Sequence, residues 1–304
     1  MEKHVAEPIP GVLFGVDTEY LDETTWDWLS RMQMPSRKPI FEGQVFLITG
    51  GASGVGEKLC VISALLGAKV FTFDISEEIC TKFEKDQITG ITCDISDYEK
   101  TRKITSEIGD KHGITKVILN AGIFPNPRPV DGRFDMKGFE RVMRINAFGN
   151  IAVCDAALEH LWSKDNINRD PLIVIVGSRN LGIPSHASYT VSKAALAQYG
   201  WYLAHLKSPQ GCPQHRVYLE HPDAVFDTKV WGKTAEERRG ALEASAAKKG
   251  MTVEEYLDKS NPMKVRFTSW IAAGSIIEMA LPTNRGKHGV GLHHNGGVYI
   301  ARPW

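Results

Sequence analysis

Glycines recur between residues 49 and 56, and this stretch restricts the possible folds more than any other part of the sequence. It reads Thr49-Gly50-Gly51-Ala52-Ser53-Gly54-Val55-Gly56 and follows the apolar run Val45-Phe46-Leu47-Ile48. That run has the length and the β-branched or aromatic content of a buried strand, and the residues after the glycines have helical spacing. A glycine-rich turn from a strand into a helix presents free backbone N–H groups and the positive helix end to a phosphate. The stretch therefore predicts a pyrophosphate-binding turn, in which glycine permits close approach and positive φ.

The residues around this turn distinguish it from a P-loop, which is a similar glycine-rich motif. A P-loop would need its lysine one position earlier than Lys58, with a Ser or Thr directly after it. The glycine spacing also differs from the ordinary dinucleotide fingerprint, so the context has to support the interpretation. A second strand-like run ends at Asp74, about twenty residues after the glycines, where a carboxylate can accept both ribose hydroxyls of an adenosine. The alternative is that Asp74 is a plain helix N-cap, because Ser76 and Glu77 follow it.

Strand-like and helix-like segments alternate from about residue 41 onward. The predicted strands are 45–48, 68–73, 90–93, 116–119, 171–176, 216–219 and 291–300, and the predicted helices are 57–66, 77–85, 98–111, 139–161, 189–207 and 268–280. Such alternation, with nearly continuous apolar strands, predicts an α/β fold with a single Rossmann-type doubly wound parallel sheet and helices on both faces. Ligands bind at the carboxyl ends of strands in such sheets. The polar or special residues at those ends are Asp74, Asp94, Asn120, Ser178 and Pro222.

Two segments stand apart from this alternation. Residues 1–40 are predicted to be an N-terminal extension before the domain 41–304, with one short helix whose tryptophans pack on the domain or on a neighbouring subunit. Residues 227–262 are polar, charged and helix-prone, and a long insert at the mouth of an α/β site is commonly a lid. The alternative is a solvated helical hairpin. Trp231 is the exception in this polar segment, because it is aromatic and is expected near the nicotinamide end of the cofactor.

Composition limits the partners and the compartment. The 304 residues are 42% hydrophobic, enough for one large α/β domain or two small ones, and the formal net charge is zero. Zero net charge without a basic run argues against nucleic acid or an anionic membrane as the main partner. The five cysteines are scattered, which fits reduced thiols and neither a disulfide framework nor a zinc site. With no apolar run of membrane-spanning length and no signal peptide, we expect a cytoplasmic protein without a bound metal.

Tyr189 and Lys193 provide the chemistry that the fold alone does not. They are four residues apart in a helix-like stretch and therefore share one face. A lysine cation beside a phenol favours the phenolate and is expected to lower the tyrosine pKa from about 10. This pair predicts a general base that takes the proton of an alcohol while hydride leaves for a nicotinamide. Ser178 can hydrogen-bond the substrate oxygen as it changes between alkoxide and carbonyl character.

Taken together, these motifs resemble the classical short-chain dehydrogenase/reductase family from about residue 41 to the end of the chain. The resemblance implies Tyr189 as catalytic acid/base, Lys193 as its partner and a ribose ligand, Ser178 as substrate-oxygen donor and Asn146 as holder of a proton-relay water. An aspartate at the position of Asp74, with Ser53 instead of a basic residue, implies NAD as cofactor and not NADP. The implied cofactor-binding residues are Gly50, Ala52, Ser53, Gly54, Val55, Asp74, Ile75, Asp94, Ile95, Asn120, Ala121, Gly122, Tyr189, Lys193, Pro222, Ala224 and Val225. The family also implies a homodimer or homotetramer.

A narrower likeness concerns the substrate. Residues 177–180, 221–225, Trp231 and the arm near residues 19–20 are similar to the dehydrogenase half of bifunctional rhamnulose-phosphate aldolase/dehydrogenase proteins, which implies a small hydroxyaldehyde, sugar or polyol. The aldolase half is absent from this sequence. Two departures from the family pattern are Asp223 after Pro222, where glycine is usual, and Thr228, one residue later than the family's threonine. The predicted substrate contacts are Ser178, Arg179, Asn180, His186, Tyr189, Asp223 and Trp231.

The sequence thus predicts an NAD-dependent oxidoreductase that interconverts a secondary alcohol and a carbonyl on a small polar substrate of carbohydrate metabolism. One rival is an NAD-binding sensor or scaffold protein that kept the fold and lost efficient catalysis. Another is a methyltransferase, whose sheet also has a glycine loop and an acidic second strand end but has no use for Tyr189 and Lys193. Binding of S-adenosylmethionine in preference to NAD would favour that second rival.

Overall fold

The computed structural model describes residues 39–83, 87–124, 135–178, 186–222, 225–229, 231–232, 234–260, 268–284 and 288–294. Apart from residues 39 and 40, the predicted N-terminal extension lies outside these residues, and so do four predicted site residues, Arg179, Asn180, Asp223 and Ala224.

The described chain forms one seven-stranded sheet in which every pair of neighbouring strands is parallel. The strands are β1 (Val45–Thr49), β2 (Lys69–Asp74), β3 (Ile88–Thr92), β4 (Lys116–Leu119), β5 (Leu172–Val176), β6 (Arg216–Pro222) and β7 (Val290–His294). Their order is β3-β2-β1-β4-β5-β6-β7, so the chain reverses its direction of travel across the sheet between β1 and β4. Ligands of doubly wound sheets bind at this switch point. The predicted fold class is confirmed.

Helices cover both faces of the sheet. They are α1 (Gly54–Leu65), α2 (Ile79–Lys82), α3 (Tyr98–His112), α4 (Met136–Met143), α5 (Asn150–Leu161), α6 (Ala187–His205), α7 (Ala235–Ala247), α8 (Val253–Ser260) and α9 (Ser269–Glu278). On one face α1 and α9 pack with Phe46, Ile48 and Val174 of the sheet. On the other face α3, α5 and α6 pack with alternate residues such as Leu47 and Ile173. Every residue of β1, β4 and β5 is buried, which explains why the central strands are apolar without alternation.

The sequence predicted one continuous helix over 139–161, and the structure differs there. A π-helical turn, Arg144–Gly149, lies between α4 and α5. Such turns contain i→i+5 hydrogen bonds and occur most often at functional sites. It carries Asn146 and lies at the carboxyl side of the sheet, next to α6.

The region around β3 also differs from the prediction. The helix expected over 77–85 is the short α2, and β3 begins at Ile88, two residues before the predicted start. The two elements approach closely at Gly90, where a Cβ would lie 1.9 Å from the carbonyl oxygen of Ile79. The backbone of α2 therefore packs directly on β3.

The insert after β6 forms α7 and α8, which contact each other and are largely exposed. Thr234 and Glu237 form a capping box at the start of α7. The Thr252 backbone N–H likewise donates to Glu255 Oε2, at 2.8 Å, before α8. The segment is thus a pair of defined helices, and its role as a lid stays a prediction. In the part of the chain that the structure describes, we find no helix that is both long and apolar enough to cross a membrane.

Candidate active site at the carboxyl edge of the sheet

The turn between β1 and α1 has the features that an anion requires. Gly50 and Gly54 have φ angles of 78° and 58°, in the left-handed region that favours glycine. A Cβ at Gly56 would lie 1.9 Å from the carbonyl oxygen of Gly50, so the turn could not close with another residue there. Ser53 is the N-cap of α1 and makes no side-chain capping hydrogen bond. The first turn of α1 therefore keeps the positive helix end that a pyrophosphate can bind, and these residues fit a dinucleotide.

Asp74 borders the same turn. Its Oδ2 accepts from the backbone N–H of Ala52 at 2.9 Å, and its Oδ1 accepts from the N–H of Ser76 at 3.0 Å. It is no helix N-cap, because the N-cap of α2 is Glu78. A carboxylate has about four acceptor positions, so two hydrogen bonds leave capacity for the two ribose hydroxyls. The predicted neighbour Ile75 is 69% exposed, beside this carboxylate.

The loop after β3 holds two further residues predicted to bind the cofactor, Asp94 and Ile95. Asp94 is exposed, and its Oδ1 accepts from both the N–H and the hydroxyl of Ser96, at 2.9 and 2.8 Å. Ile95 is buried against Gly149, the last residue of the π-helical turn, where a Cβ would lie 2.7 Å from Ile95 Cγ1. The loop is therefore packed against the π-helical turn.

Asn120, Ala121 and Gly122 follow β4 at the switch point. The side chain of Asn120 donates to the carbonyl oxygen of Thr49 at 3.0 Å. The backbone N–H groups of Asn120 and Ala121 both donate to Thr49 Oγ1, at 2.9 Å. Asn120 thus fixes the end of β1. Thr49 also donates to Asn150 Oδ1 at 2.7 Å, and motif reasoning assigned no role to either residue.

α6 brings Tyr189 and Lys193 to the same edge, as predicted from their spacing. Ser178, directly after β5, makes a side-chain hydrogen bond with Tyr189. The ammonium of Lys193 donates to the carbonyl oxygen of Val176 at 2.8 Å and lies 5.9 Å from the centroid of the Tyr189 ring. A Cβ at Gly122 would lie 3.6 Å from Lys193 Nζ. The predicted proton-transfer groups therefore meet beside the loop that follows β4.

The expected pKa shift of the phenol is wrong for this arrangement. Burial raises the pKa of Tyr189 above its usual value, and the hydrogen bond with Ser178 opposes that rise. Burial likewise lowers the pKa of the Lys193 ammonium to about 8. Desolvation disfavours the charged form of both groups, and spacing along a helix does not reveal how deeply the two groups are buried.

Asn146 is fully buried and held from two sides. Its Oδ1 accepts from the N–H of Ile123 at 2.8 Å, and its Nδ2 donates to the Ile123 carbonyl at 3.0 Å and to Ser192 Oγ at 3.1 Å. The hydroxyl of Ser192 in turn donates to the carbonyl oxygen of Tyr189 at 2.7 Å. Asn146 thus connects the loop after β4 with the first turns of α6. The predicted relay water is a separate role and stays a prediction.

Aromatic residues lie around Tyr189 and in the segment before α7. Phe124 lies with its ring centroid 4.6 Å from His186 and 4.5 Å from Tyr189, so both residues contact the same aromatic ring. Trp231 packs on Phe226 with ring centroids 4.9 Å apart, in the segment that leads to α7. Phe124 was missed because it stands in a loop without periodicity.

The segment after β6 reaches back to the glycine turn. A Cβ at Gly54 would lie 3.3 Å from Thr228 Cγ2, so Thr228 faces the start of α1. The preceding Asp227 accepts from the N–H and the hydroxyl of Ser269, at 2.8 and 2.7 Å, at the start of α9. The displaced threonine therefore borders the predicted pyrophosphate site. Pro222 ends β6, and Val225 accepts the Thr228 hydroxyl through its carbonyl at 2.9 Å.

Two buried histidines lie outside the set of predicted site residues. His221 is fully buried, its Nδ1 accepts from the N–H of Ser178 at 3.2 Å, and its ring fills the space that a Cβ at Gly177 would need. His215 is fully buried, its Nδ1 accepts from Trp162 Nε1 at 3.0 Å, and its Nε2 lies 3.0 Å from the Leu203 carbonyl oxygen. The structure contains no group of three potential metal-ligating side chains within its described ranges.

Comparisons with known proteins agree with this geometry. A family profile described as short chain dehydrogenase matches residues 44–237. The chain is 28% identical over 234 residues to a "Glucose and ribitol dehydrogenase homolog 2" of Arabidopsis thaliana, which covers 72% of this chain and 77% of that protein. It is 30% identical to "Short-chain dehydrogenase reductase 5" of the same plant, over 51% of this chain and 61% of that protein.

Solved structures show the same fold. A glucose/ribitol dehydrogenase of Brucella melitensis matches with a TM-score of 0.72 at 21% identity, over 87% of this chain and all of that one. A 3-ketoacyl-(acyl-carrier-protein) reductase of Brucella melitensis complexed with NADH matches with a TM-score of 0.69 at 24% identity, over 86% of this chain and all of that one.

Proposed function

The chain belongs to the short-chain dehydrogenase family, whose members include nicotinamide-dependent oxidoreductases, and on this premise we propose that it oxidises a secondary alcohol, or reduces the corresponding carbonyl, on a small polar substrate with NAD as cofactor. The observation that supports this most directly is the meeting of Tyr189, Lys193 and Ser178 at one edge of the sheet. Family membership also removes the methyltransferase alternative. The cytoplasmic location stays part of this proposal.

Asp74 supports NAD as the preferred cofactor. Its carboxylate is held beside the glycine turn by two backbone N–H groups, where it can accept from ribose hydroxyls and would repel a 2′-phosphate. Ser53, at the start of α1, supplies no cation to offset that repulsion. Bound in this turn, a nicotinamide cofactor supplies a carbon that accepts or returns hydride.

Tyr189 is the proposed acid/base. In oxidation its phenolate takes the hydroxyl proton of the substrate, and in reduction the phenol returns it. Ser178, hydrogen-bonded to Tyr189, orients the substrate oxygen toward the phenol. Lys193 holds a positive charge near the ring as long as its ammonium, with a pKa of about 8, stays protonated. That charge offsets part of the desolvation that raises the pKa of the phenol.

A sugar, a polyol or a hydroxyaldehyde is the proposed substrate class. The Arabidopsis relative carries glucose and ribitol in its name, and the likeness to rhamnulose-phosphate aldolase/dehydrogenase proteins suggests the same class. His186 next to Phe124 gives the pocket one polar group and one aromatic face. Arg179, Asn180 and Asp223 are proposed as further polar contacts from the sequence.

We also propose that the protein is a homo-oligomer through an exposed face of α6. Val191, Trp201 and Tyr202 of this helix are 45%, 44% and 57% exposed, and Phe148 of the adjoining turn is 47% exposed. α6 has no Asp, Glu or Arg, and its one lysine, Lys193, is buried. A face of this kind is suited to a second copy of the chain. Trp201→Glu is expected to reduce the mass measured by light scattering to that of the monomer.

A substrate panel with two matched tyrosine variants tests the enzyme proposal. Sugars, polyols and hydroxyaldehydes are screened with NAD and NADH, following absorbance of the reduced cofactor. Tyr189→Phe is expected to lower turnover by about 10²- to 10⁴-fold, because the proton acceptor is lost. Tyr202→Phe, on the exposed face of the same helix, should retain full turnover. Full activity of Tyr189→Phe would remove the mechanism, and cofactor binding without turnover on any substrate would favour the sensor alternative.

A further inference from the structure

Asn150, the first residue of α5, is a fully buried asparagine whose side chain contacts three parts of the candidate site. Its Oδ1 accepts from the Thr49 hydroxyl at the end of β1, at 2.7 Å. Its Nδ2 donates to the carbonyl oxygen of Ala121 at 2.9 Å and to that of Asn146 at 2.9 Å. One amide group therefore joins the strand before the glycine turn, the loop after β4 and the turn that carries Asn146.

Thr49 extends this connection to the backbone around the cofactor turn. Its hydroxyl donates to Asn150 and accepts from the N–H groups of Asn120 and Ala121. Because Thr49 directly precedes Gly50, any displacement of this hydroxyl moves the start of the glycine turn. The two side chains thus form a continuous buried path from that turn to α5.

The π-helical turn creates the need for the hydrogen bond from Asn150 to the Asn146 carbonyl. An i→i+5 turn changes the backbone pairing of a helix and leaves carbonyls that side chains can satisfy. Asn150 Nδ2 donates to the Asn146 carbonyl oxygen, while the Asn146 side chain is hydrogen-bonded to Ile123 and Ser192. Removal of the amide would leave buried carbonyls of Asn146 and Ala121 without this donor, and such groups are costly to leave unsatisfied.

We propose that Asn150 is a positioning residue that holds the cofactor turn and the Asn146 turn in fixed relation. Its side chain is fully buried, so it acts through Thr49 on one side and through the Asn146 backbone on the other. Loss of its amide therefore loosens both the cofactor turn and the Asn146 turn. Weaker cofactor binding and slower hydride transfer should therefore appear together, beyond any general loss of stability.

Asn166 provides the matched control. It is also a fully enclosed asparagine, 1% exposed, and its Nδ2 donates to two backbone carbonyls, those of Ile114 at 2.9 Å and His160 at 2.8 Å. It lies at the opposite edge of the sheet, before β5, away from the candidate site. Asn150→Ala and Asn166→Ala therefore remove the same chemical group, with similar hydrogen bonds, from opposite edges of the sheet.

The experiment compares these two variants by cofactor titration, amide hydrogen exchange and thermal unfolding. For Asn150→Ala we expect a Kd for NADH raised about tenfold, the effect of one or two lost buried hydrogen bonds. We also expect faster exchange of the Asn120 and Ala121 amides in the cofactor-free protein. Asn166→Ala should lower the thermal midpoint to a similar extent while its Kd and these two amides remain unchanged. Equal Kd values for the two variants, at equal loss of stability, would overturn the proposal.

A second pair of variants keeps the test decisive if Asn150→Ala does not fold. Thr49→Val removes the hydroxyl at nearly constant volume, and Thr49→Ser retains it. The proposal expects the Kd for NADH to rise about tenfold in the valine variant and about twofold or less in the serine variant. Equal affinities in both would contradict it.

The inference rests on the proposed function only where turnover is measured, and the two can fail separately. If Tyr189→Phe retains activity while Asn150→Ala weakens cofactor binding, the proposed mechanism fails and the positioning role stands. If Tyr189→Phe abolishes activity while Asn150→Ala behaves as Asn166→Ala does, the opposite holds.

Discussion

The buried guanidinium of Arg216, at the amino edge of the sheet, donates to both carboxylate oxygens of Asp170, whereas the buried ammonium of Lys193, at the carboxyl edge, donates to a backbone carbonyl. Arg216 also donates to the Tyr218 hydroxyl at 2.9 Å and to the carbonyl of Asn284 at 3.0 Å. No carboxylate lies within ion-pair distance of Lys193 in the ranges that the structure covers. At the amino edge the charge of Arg216 is therefore paired with a carboxylate. At the carboxyl edge Lys193 has a lowered pKa.

This difference separates stability from chemistry. A buried charge with a full set of partners holds strands together and has nothing left to offer a ligand. A desolvated cation near a phenol costs folding free energy and acts on whatever binds beside it. The amino edge is therefore expected to govern stability, and the carboxyl edge to govern activity.

Lys193→Met should have the largest effect, and it should act on the two properties in opposite directions. Turnover should fall by about 10²- to 10⁴-fold, because the phenolate loses its neighbouring charge. At pH 7 the variant should be more stable than the wild type by about 1–3 kcal/mol, because a desolvated ammonium is removed.

The sign of the pH dependence follows from the lowered pKa of Lys193, about 8 in the folded state. The penalty is fully present below pH 8 and disappears as the pH rises toward the unfolded value of about 10.4. The stability advantage of Lys193→Met, measured by urea denaturation, should fade over that interval. A variant less stable than the wild type at pH 7 would contradict the contrast between the two edges.

Arg216→Leu should reverse this pattern. It leaves the carboxylate of Asp170 buried with a reduced set of partners, which typically costs about 3–5 kcal/mol of stability. Turnover per folded molecule should stay within about twofold, since the residue is at the far edge of the sheet. Urea denaturation and active-site titration measure the two quantities, and a large drop in turnover of the folded fraction would show that the edges are coupled.

Much of this architecture could be predicted from the sequence, because its signals are local. The strands are uninterrupted apolar runs, the glycine turn stands between a strand and a helix, and Tyr189 and Lys193 share a face by spacing alone. The Asp170–Arg216 pair joins residues 46 positions apart, and Thr49 and Asn150 are 101 positions apart. No local pattern encodes such pairs. The direction of the Tyr189 pKa shift was missed for the same reason, since burial depends on the whole fold.

Asp74→Asn tests a smaller effect at the carboxyl edge. The substitution keeps the shape and one oxygen that can accept from the Ala52 N–H, gives up the acceptor for the Ser76 N–H, and removes the charge that would repel a 2′-phosphate. We expect the ratio of NADP to NAD dissociation constants to fall by about tenfold or more, since 1.4 kcal/mol of lost discrimination corresponds to that factor. Fluorescence titration with both reduced cofactors gives the ratio. A wild type that binds NADP more tightly than NAD would overturn the cofactor proposal itself.

His215 supplies the smallest expected effect, at the amino edge. Its Nδ1 accepts from Trp162 Nε1 at 3.0 Å and its Nε2 contacts the Leu203 carbonyl at 3.0 Å, which fits a neutral ring. Burial lowers the pKa of His215. A histidine with a lowered folded pKa contributes stability above its unfolded value of about 6.5 and loses it as the pH falls, by up to about 1.4 kcal/mol per pH unit. His215→Gln should flatten the loss of stability as the pH falls below about 6.5, and the exposed control His205→Gln should leave it unchanged.

The most direct test of the central claim is the pH dependence of single-turnover hydride transfer, measured with saturating NAD and an alcohol substrate found in the panel. The account predicts a rate that rises with pH in the wild type as the Tyr189 phenol ionises, and a slow rate without that rise in Tyr189→Phe. The same rise with pH in both proteins would show that another group takes the proton.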